Sequence, residues 1–390
     1  MRSLSDVSAV AGIGATEYSK DSGRSELSLA AEACKAALDD AGLTPADVDG
    51  MVTFTMDGND EVDVARALGC GDLDFYARVP YGGGAATGTL MQAAMAVATG
   101  VADVVLGYRA LNGRSGQRYS AGVSGNLITG SLVHYGWYMP YGLLTPASWI
   151  ALCAQRYLHI TGTPREALFE VAASARNYAV SNPDAFFHGR PLTRADYDAG
   201  RRVADPLTLY DCCQESDGGC AFVVTTAERA RDLRQAPVLV RAAAQCSARD
   251  QEEMTSFYRE EIARTPEMER AAQRAYAQCG LAPADIDAAV LYDAFTPTVL
   301  WQLEAWGFCA FGEAGQFVLD GNLRAGGRLP TNTHGGQLSE AYIHGVNGIL
   351  EAVRLVRGAS VNQPDRRIDH VIVTSGSGVP TGGAILGRDC

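Results

Sequence analysis

An internal repeat constrains the fold of this 390-residue chain more than any other feature of its sequence. Residues 42–54 read GLTPADVDGMVTF and residues 280–292 read GLAPADIDAAVLY, so that six of the first eight positions are identical. Each copy follows an alanine-rich helical pattern and ends in a short apolar, β-branched run. A helix, a P-A-D turn and a buried strand make up half of a βαβ unit. The repeat therefore predicts two α/β halves of similar build.

A second, weaker match supports two halves. Residues 88–108 and 345–378 each contain a helical pattern, a glycine stop and a continuous apolar strand, the type that is covered on both faces. The runs VSAVAGIG (7–14) and APVLVRAAAQ (236–245) are predicted to open the two halves. We therefore assign residues 1–108 to an N-terminal half and residues 201–390 to a C-terminal half, stacked as layers.

The segment between the halves, residues 109–200, breaks this pattern. It begins with a stretch rich in glycine, serine and tyrosine and continues with helical patterns. A long aromatic insertion between repeats either caps a binding site or forms oligomer contacts, and the sequence leaves both roles open.

Composition excludes several classes of function. The net charge of −13 argues against nucleic acid or an anionic membrane surface as a partner. No apolar run approaches the ~20 residues of a membrane span, and we predict a cytoplasmic protein. The ten cysteines show neither a CxxC pair nor ligand spacing with histidine, so no metal site is predicted.

Four motifs, in order along the chain, resemble those of the thiolase fold. They are the helical segment 144–185, QESDGGCAFVVTT (214–226), TNTHGGQLSEAYIHGVNG (331–348) and VTSGSGVPTGGAILG (373–387). The resemblance covers essentially the whole chain. It implies two βαβαβαββ halves stacked as α/β/α/β/α layers, with the loop insertion over the active site.

The residues at the thiolase catalytic positions are different, however. Counted back from GVADVVL (100–106), the position of the nucleophilic cysteine falls on Gly83, and in the terminal block the second cysteine falls near Ser375. The two histidine positions fall on Tyr292, in YDAF, and on Tyr342, in EAYIHG. Glycine cannot form an acyl-enzyme, so chemistry through a covalent thioester is not expected.

This pattern resembles the lipid-transfer-protein-type steroid aldolases of actinobacteria. That resemblance implies retro-aldol cleavage of a 17-hydroxy-steroid β-hydroxyacyl-CoA to a 17-keto steroid and propionyl-CoA, without a cofactor. It further implies a homodimer and a small OB-fold partner protein. The alternative is a non-catalytic subunit that binds or transfers an acyl-CoA or a sterol.

The same resemblance implies that Tyr292 and Tyr342 perform the acid–base work, without assigning which of them is the base. An ordinary tyrosine has a pKa near ~10, which is high for a base at neutral pH. The partners available to lower it are His344, Asp293 and the start of the helix after Gly82. Because Asp293 follows Tyr292 directly, it is predicted to point to the other face of the strand.

The remaining candidates are glycines and histidines with two possible roles. They serve either as donors and lining groups for the thioester oxygen or as turn-forming residues. Because His334 and His344 have no third ligand nearby, hydrogen bonding is predicted for them rather than metal binding. The candidate substrate-binding and oxyanion residues are Gly83, Gly84, His334, Gly335, Gly336, His344, Gly376 and Gly378.

Overall fold

The computed structural model describes residues 4–80, 82–116, 118–121, 135–252, 254, 256–376 and 381–389. Eleven strands lie in this part of the chain: β1 Ser8–Ala15, β2 Gly50–Phe54, β3 Phe75–Val79, β4 Val104–Asn112, β5 Arg202–Ala204, β6 Leu207–Thr208, β7 Asp217–Thr226, β8 Val238–Cys246, β9 Ala288–Val290, β10 His370–Thr374 and β11 Thr381–Arg388. The helices used below are α1 Glu26–Ala41, α2 Glu61–Leu68, α3 Ala86–Thr99, α4 Pro146–Thr161, α5 Glu166–Ser181, α6 Arg194–Asp198, α7 Ala227–Ala230, α8 Pro266–Cys279, α9 Thr296–Ala305, α10 Ala314–Leu319, α11 Gly336–Ser339 and α12 Val346–Arg357.

The repeat is visible in the order of the strands. Nine strands pair in the order β3-β2-β4-β7-β1-β8-β11-β10-β9, so that β2, β4, β7 and β1 of one half mirror β9, β10, β11 and β8 of the other. The halves join through a short antiparallel contact between β1 and β8, in which Ala9 pairs with Leu239 and Val10 with Val238. The two predicted α/β halves are confirmed.

The repeated P-A-D turn has the same structure in both halves. Pro45–Asp47 and Pro283–Asp285 are single 3₁₀ turns. In each, the aspartate accepts a hydrogen bond from the backbone N–H three residues earlier, at 2.9 Å from Thr44 to Asp47 and at 2.8 Å from Ala282 to Asp285. This side-chain cap explains why the aspartate was kept in both copies of the motif.

Helices α3 and α12 form the central layer. Both contact strands of the two halves, whereas α1 packs on β1, β4 and β7, and α8 packs on β8 and β11. Accordingly, most residues of both helices are buried; α3 is apolar along nearly its whole length, whereas α12 also buries the polar Asn347 and Glu351. The α/β/α/β/α layering of the thiolase fold is thereby confirmed.

Two details differ from the sequence assignment. Strand β7 lies after residue 201 and was therefore assigned to the C-terminal half. It nevertheless pairs with β4 and β1 of the first half, and the insertion lies between β4 and β7 along the chain. In the second half, the third strand is reduced to one bridge between Ala289 and Thr331. The preceding Pro330 accepts from Ala289 N but has no N–H of its own to donate, which limits pairing there.

The nine cysteines in the described ranges form no disulfide with one another, and this includes the neighbours Cys212 and Cys213. Within those ranges, no helix is long and apolar enough to cross a membrane.

Candidate active site

The two tyrosines meet at the centre of the molecule. Their hydroxyl oxygens are 3.0 Å apart, within hydrogen-bond distance, and their rings are inclined at 67°. Tyr292 follows the end of β9 and is buried, whereas Tyr342 lies in the loop between α11 and α12 and is half-buried. Two residues that are fifty positions apart in sequence therefore present one pair of hydroxyl groups.

The backbone N–H and carbonyl groups of Tyr292 are both hydrogen-bonded to one side-chain amide. Its N–H donates to Gln302 Oε1 at 3.1 Å and its carbonyl accepts from Gln302 Nε2 at 2.8 Å. The preceding residue, Leu291, is paired in the same way with the side-chain amide of Asn332, at 2.9 Å for each bond. These amides continue the strand pairing beyond β9 and fix the direction in which the tyrosine points.

Glycines make the space for the Tyr292 ring. A Cβ atom on Gly83 would lie 2.0 Å from the hydroxyl oxygen of Tyr292, and one on Gly376 would lie 2.2 Å from ring atom Cδ1. Gly345, at a φ of +87°, would bring a Cβ to 3.0 Å from Cδ2 on the other ring edge. The thiolase nucleophile position is thus occupied by the tyrosine hydroxyl, and any side chain at residue 83 would collide with it.

Ser375 closes the start of α3. Its hydroxyl accepts from the backbone N–H of Thr87 at 2.9 Å and lies 2.6 Å from the Thr87 hydroxyl. It therefore caps a helix that has no side-chain cap of its own. The next residue, Gly376, donates its N–H to the Gly83 carbonyl at 3.2 Å, so that this peptide group ties the terminal block to the glycine turn.

His344 lies beside Tyr342, with 5.0 Å between the ring centroids. Its Nε2 atom is 3.0 Å from the position that a Cβ on Gly82 would take, so this atom faces the turn before α3. Burial, and then the cationic Arg109, hold the pKa of His344 well below its usual value. The imidazole is therefore neutral at physiological pH.

His334 lies in a second group of buried residues and lines a small cavity together with Tyr292 and Asp293. Neither of its ring nitrogens has a hydrogen-bond partner among the described residues, and its Nε2 lies 3.7 Å from Glu340 Oε2. Burial lowers the pKa of His334 to about 3 and raises the pKa of Glu340 to about 8, so both are uncharged at neutral pH. His334 and His344 thus belong to different surroundings.

Gly335 and Gly336 also belong to this second group. Gly335 has a φ of +113° and packs against Ala179, while a Cβ on Gly336 would lie 2.0 Å from Asp293 Oδ2. Both positions require glycine for the turn, so the observed contacts are those of turn residues. Gly84 is buried beside Gly83, and Gly378 lies outside the described residues.

Asp293 has the orientation that strand geometry predicts. It turns away from the hydroxyl pair and accepts hydrogen bonds from the backbone N–H groups of Gln337 at 2.7 Å and Leu338 at 3.3 Å. It thereby holds the loop that leads to Tyr342. Burial raises the pKa of Asp293 to about 7, against the opposing effect of these backbone hydrogen bonds.

This pKa predicts a pH-dependent stability. Since the unfolded carboxyl has a pKa near ~3.9, the folded state binds more protons between pH ~4 and ~7, and its stability falls as pH rises through that window. We expect the free energy of unfolding of wild type, relative to Asp293→Asn, to fall by on the order of 4 kcal/mol across it. Urea unfolding of both proteins at several pH values measures this difference. The titration of Glu340 occurs in both proteins and therefore cancels in the comparison. A pH-independent difference would contradict the assignment.

Sequence reasoning missed Arg109 and Asp57. Arg109 lies near the end of β4, is 2% exposed, and donates from Nε to His344 Nδ1 at 3.0 Å. Asp57 accepts from Arg109 Nη1 at 2.9 Å. The available signal was the arginine in the apolar run VVLGYRAL, because a buried arginine requires a buried acceptor.

The site as a whole offers proton transfer and hydrogen-bond donation. It combines two hydroxyl groups, a neutral imidazole and the N-terminus of α3, around a position where a nucleophile has no room. No group of three or more histidine, cysteine, aspartate or glutamate residues in the described ranges is arranged to hold a metal ion.

Comparison with known proteins finds relatives that are thiolase-like and that are named as an aldolase and a lyase. Residues 248–387 match the family model of the thiolase C-terminal domain-like proteins. The chain is 58% identical to a steroid side-chain-cleaving aldolase of Thermomonospora curvata, over 100% of both chains. It is 55% identical to the 17-hydroxy-3-oxo-4-pregnene-20-carboxyl-CoA lyase of Mycobacterium tuberculosis, over 98% of this chain and 100% of that one.

The chain belongs to the thiolase-like steroid side-chain-cleaving aldolases. The solved structure of the Ltp2-ChsH2(DUF35) aldolase superimposes with a TM-score of 0.95 at 58% identity, covering 99% of both chains. The family that the sequence motifs indicated is therefore confirmed.

Within this family the four departures from the thiolase pattern have a common location. Gly83, Tyr292, Tyr342 and Ser375 come from four separate segments and surround the start of α3. Their meeting supports the alignment that selected them, while the chemical role of each remains a prediction.

Proposed function

We propose that this aldolase cleaves a 17-hydroxy-steroid β-hydroxyacyl-CoA into a 17-keto steroid and propionyl-CoA during sterol side-chain degradation. The hydroxyl proton passes to a base, the C–O bond becomes a carbonyl, and the electron pair of the broken C–C bond forms the thioester enolate. An acid then protonates the enolate carbon. No atom is gained or lost, and no covalent acyl-enzyme is formed.

The observation that carries this proposal is the hydroxyl pair at 3.0 Å, standing where Gly83 leaves no room for a nucleophile. The names of the two relatives above support the substrate class. The hydrogen bond between the two hydroxyl groups lets a proton accepted by one tyrosine return to the other. Tyr292 and Tyr342 thus form one acid–base unit, and the order in which they act is not assigned.

We assign enolate stabilisation to groups around the glycine turn. The backbone N–H groups of Gly83 and Gly84 lie at the positive end of α3, where a developing negative charge is favoured. His344 Nε2 faces the same turn from the side of Tyr342. Since proton transfer and these donors suffice for a retro-aldol step, we propose that the C–C bond of the CoA ester is cleaved without a cofactor.

We further propose that the chain works as a homodimer. Strand β3 lies at one edge of the sheet, and its Tyr76 is 64% exposed. An exposed edge strand is a template for pairing, and two copies related by a two-fold axis would cover it. Light scattering should give twice the chain mass of 41.2 kDa, and a monomer at working concentration would contradict this proposal.

A second partner is proposed from the relative that was solved as an Ltp2-ChsH2(DUF35) aldolase. We expect a small DUF35 protein, with the OB-fold domain that the family resemblance implies, to bind this chain and support its activity. Assays of the chain alone would then underestimate cleavage.

The test is to mix the purified chain, with and without the DUF35 protein, with the 17-hydroxy-steroid CoA ester. We expect 17-ketone and propionyl-CoA in equal amounts, formed faster when the partner is present. Tight binding of the ester without ketone under both conditions would instead identify a binding or transfer subunit.

A further inference from the structure

The tautomer of His344 can be derived from its neighbour. Arg109 donates from Nε to His344 Nδ1 at 3.0 Å. A guanidinium group has only donors and stays charged in proteins, so Nδ1 must present its lone pair. In a neutral imidazole the single proton then lies on Nε2.

Arg109 itself has little freedom. Its Nη1 donates to Asp57 Oδ2 at 2.9 Å and to the carbonyl of Ala110 at 2.7 Å. Asp57 also accepts from the backbone N–H of Ala110 at 3.0 Å and from that of Asn59 at 3.0 Å. The side chains of Arg109 and Asp57 are 2% and 0% exposed, so they form a fully buried ion pair.

The His344 ring is also held by its own backbone and by packing. Its φ of +51° lies in the left-handed region, which non-glycine residues adopt only where the surroundings impose it. Phe54 stacks on the ring, with 6.0 Å between centroids and an angle of 23°. Together these contacts direct Nε2 toward Gly82, at the turn before α3.

We propose that the Asp57–Arg109 pair is a positioning device that holds His344 as the neutral, Nε2-protonated tautomer, so that the ring donates a hydrogen bond and does not act as a base. The group it would serve is the thioester or enolate oxygen of the proposed substrate, and this part rests on the proposed function. Arg109 and Asp57 act through His344 and do not themselves contact the substrate.

The tautomer can be measured without substrate, on the full chain. Solid-state ¹⁵N NMR of histidine-labelled wild type separates protonated from unprotonated ring nitrogens, and loss of one signal set in His344→Gln identifies His344. We expect Nδ1 unprotonated and Nε2 protonated. An Nδ1-protonated ring, or an imidazolium at neutral pH, would overturn the proposal.

Two variants test the cause. Arg109→Met removes the donor, and we expect His344 to lose its single tautomer and kcat to fall by about 10- to 100-fold. Arg109→Lys keeps a cationic donor and should restore the tautomer and part of the activity. A single Nε2-protonated tautomer in folded Arg109→Met would show that the pair does not set it. If Arg109→Met fails to fold, the wild-type and Arg109→Lys spectra still decide.

The outcomes also separate this inference from the proposed function. The expected tautomer in a chain that cleaves no CoA ester, even with the DUF35 protein, would leave the positioning device in place and remove its proposed use. Cleavage of the CoA ester by a chain whose His344 is protonated on Nδ1 would support the proposed function and overturn the positioning device.

Discussion

Tyr292→Phe and Tyr342→Phe are each expected to lower kcat for ketone release by about 10²- to 10⁴-fold, the usual contribution of a general acid or base. Each variant removes one member of the hydroxyl pair and leaves an aromatic ring of nearly the same shape in its place. Substrate binding should change little, because the lost hydroxyl acts on protons that move only during cleavage. Steady-state kinetics with the DUF35 protein present measures both quantities.

The double variant and a matched control sharpen this prediction. If the two hydroxyls act as one unit, Tyr292→Phe/Tyr342→Phe should be hardly slower than either single variant. The control is Tyr258→Phe, a loss of the same hydroxyl at a residue that is 63% exposed, and it should retain full activity. Wild-type rates in both single variants would remove the tyrosines from catalysis.

Gly83→Ala is expected to damage both stability and activity. The added Cβ would lie 2.0 Å from the Tyr292 hydroxyl oxygen, and the ring is buried between the segments that carry Gly345 and Gly376. We expect a loss of about 1–3 kcal/mol in the free energy of unfolding, as for other overpacked sites. A tyrosine displaced by about 1 Å would slow cleavage by roughly 100-fold. Chemical denaturation and ketone release measure the two effects.

Two further variants separate the collision from a general effect of adding a methyl group. Gly71→Ala places a Cβ where none of the described atoms lies within 4 Å, and it should behave like wild type. Combining Gly83→Ala with Tyr292→Val, which shortens the colliding side chain, should cost less stability than the sum of the two single variants and should not restore activity. A stable, fully active Gly83→Ala would contradict the proposed arrangement.

Much of the fold could be predicted from the sequence because the repeat is still recognisable in both halves. The P-A-D turn, with its capping aspartate, occurs in both halves, and the strands that open the halves are continuous apolar runs. Strand β3 and helix α2 were not predicted. Residues of β3 are alternately half-buried and exposed at the sheet edge, so its pattern is shorter and weaker than those of the covered strands.

The position of β7 could not be derived from sequence order. It follows the insertion along the chain, yet its hydrogen-bond partners β4 and β1 precede the insertion. Pairing across such a distance leaves no local pattern, because an apolar strand fits either half equally well. The predicted boundary at residue 201 therefore reflects the order of segments along the chain, whereas the strand pairing in the sheet reflects the repeat.

For the site, motif alignment selected the tyrosine pair and the glycine that makes room for it. It could not separate His334 from His344, which have the same chemistry and lie ten residues apart. Their difference arises from tertiary neighbours: Arg109 contacts one ring, whereas Glu340 lies near the other. Arg109 and Asp57 could not be identified for the same reason. Their role depends on the contact between Arg109 and His344, which are 235 positions apart in sequence.

The central claim is that cleavage proceeds by proton transfer in the tyrosine pair, with no acyl group attached to the protein. The most direct test is to quench the chain and its DUF35 partner during turnover of the CoA ester, and to measure intact protein mass and 17-ketone in the same sample. We predict an unmodified chain mass while ketone and propionyl-CoA accumulate in equal amounts. A chain that becomes heavier by the mass of an acyl group before ketone appears would contradict the account.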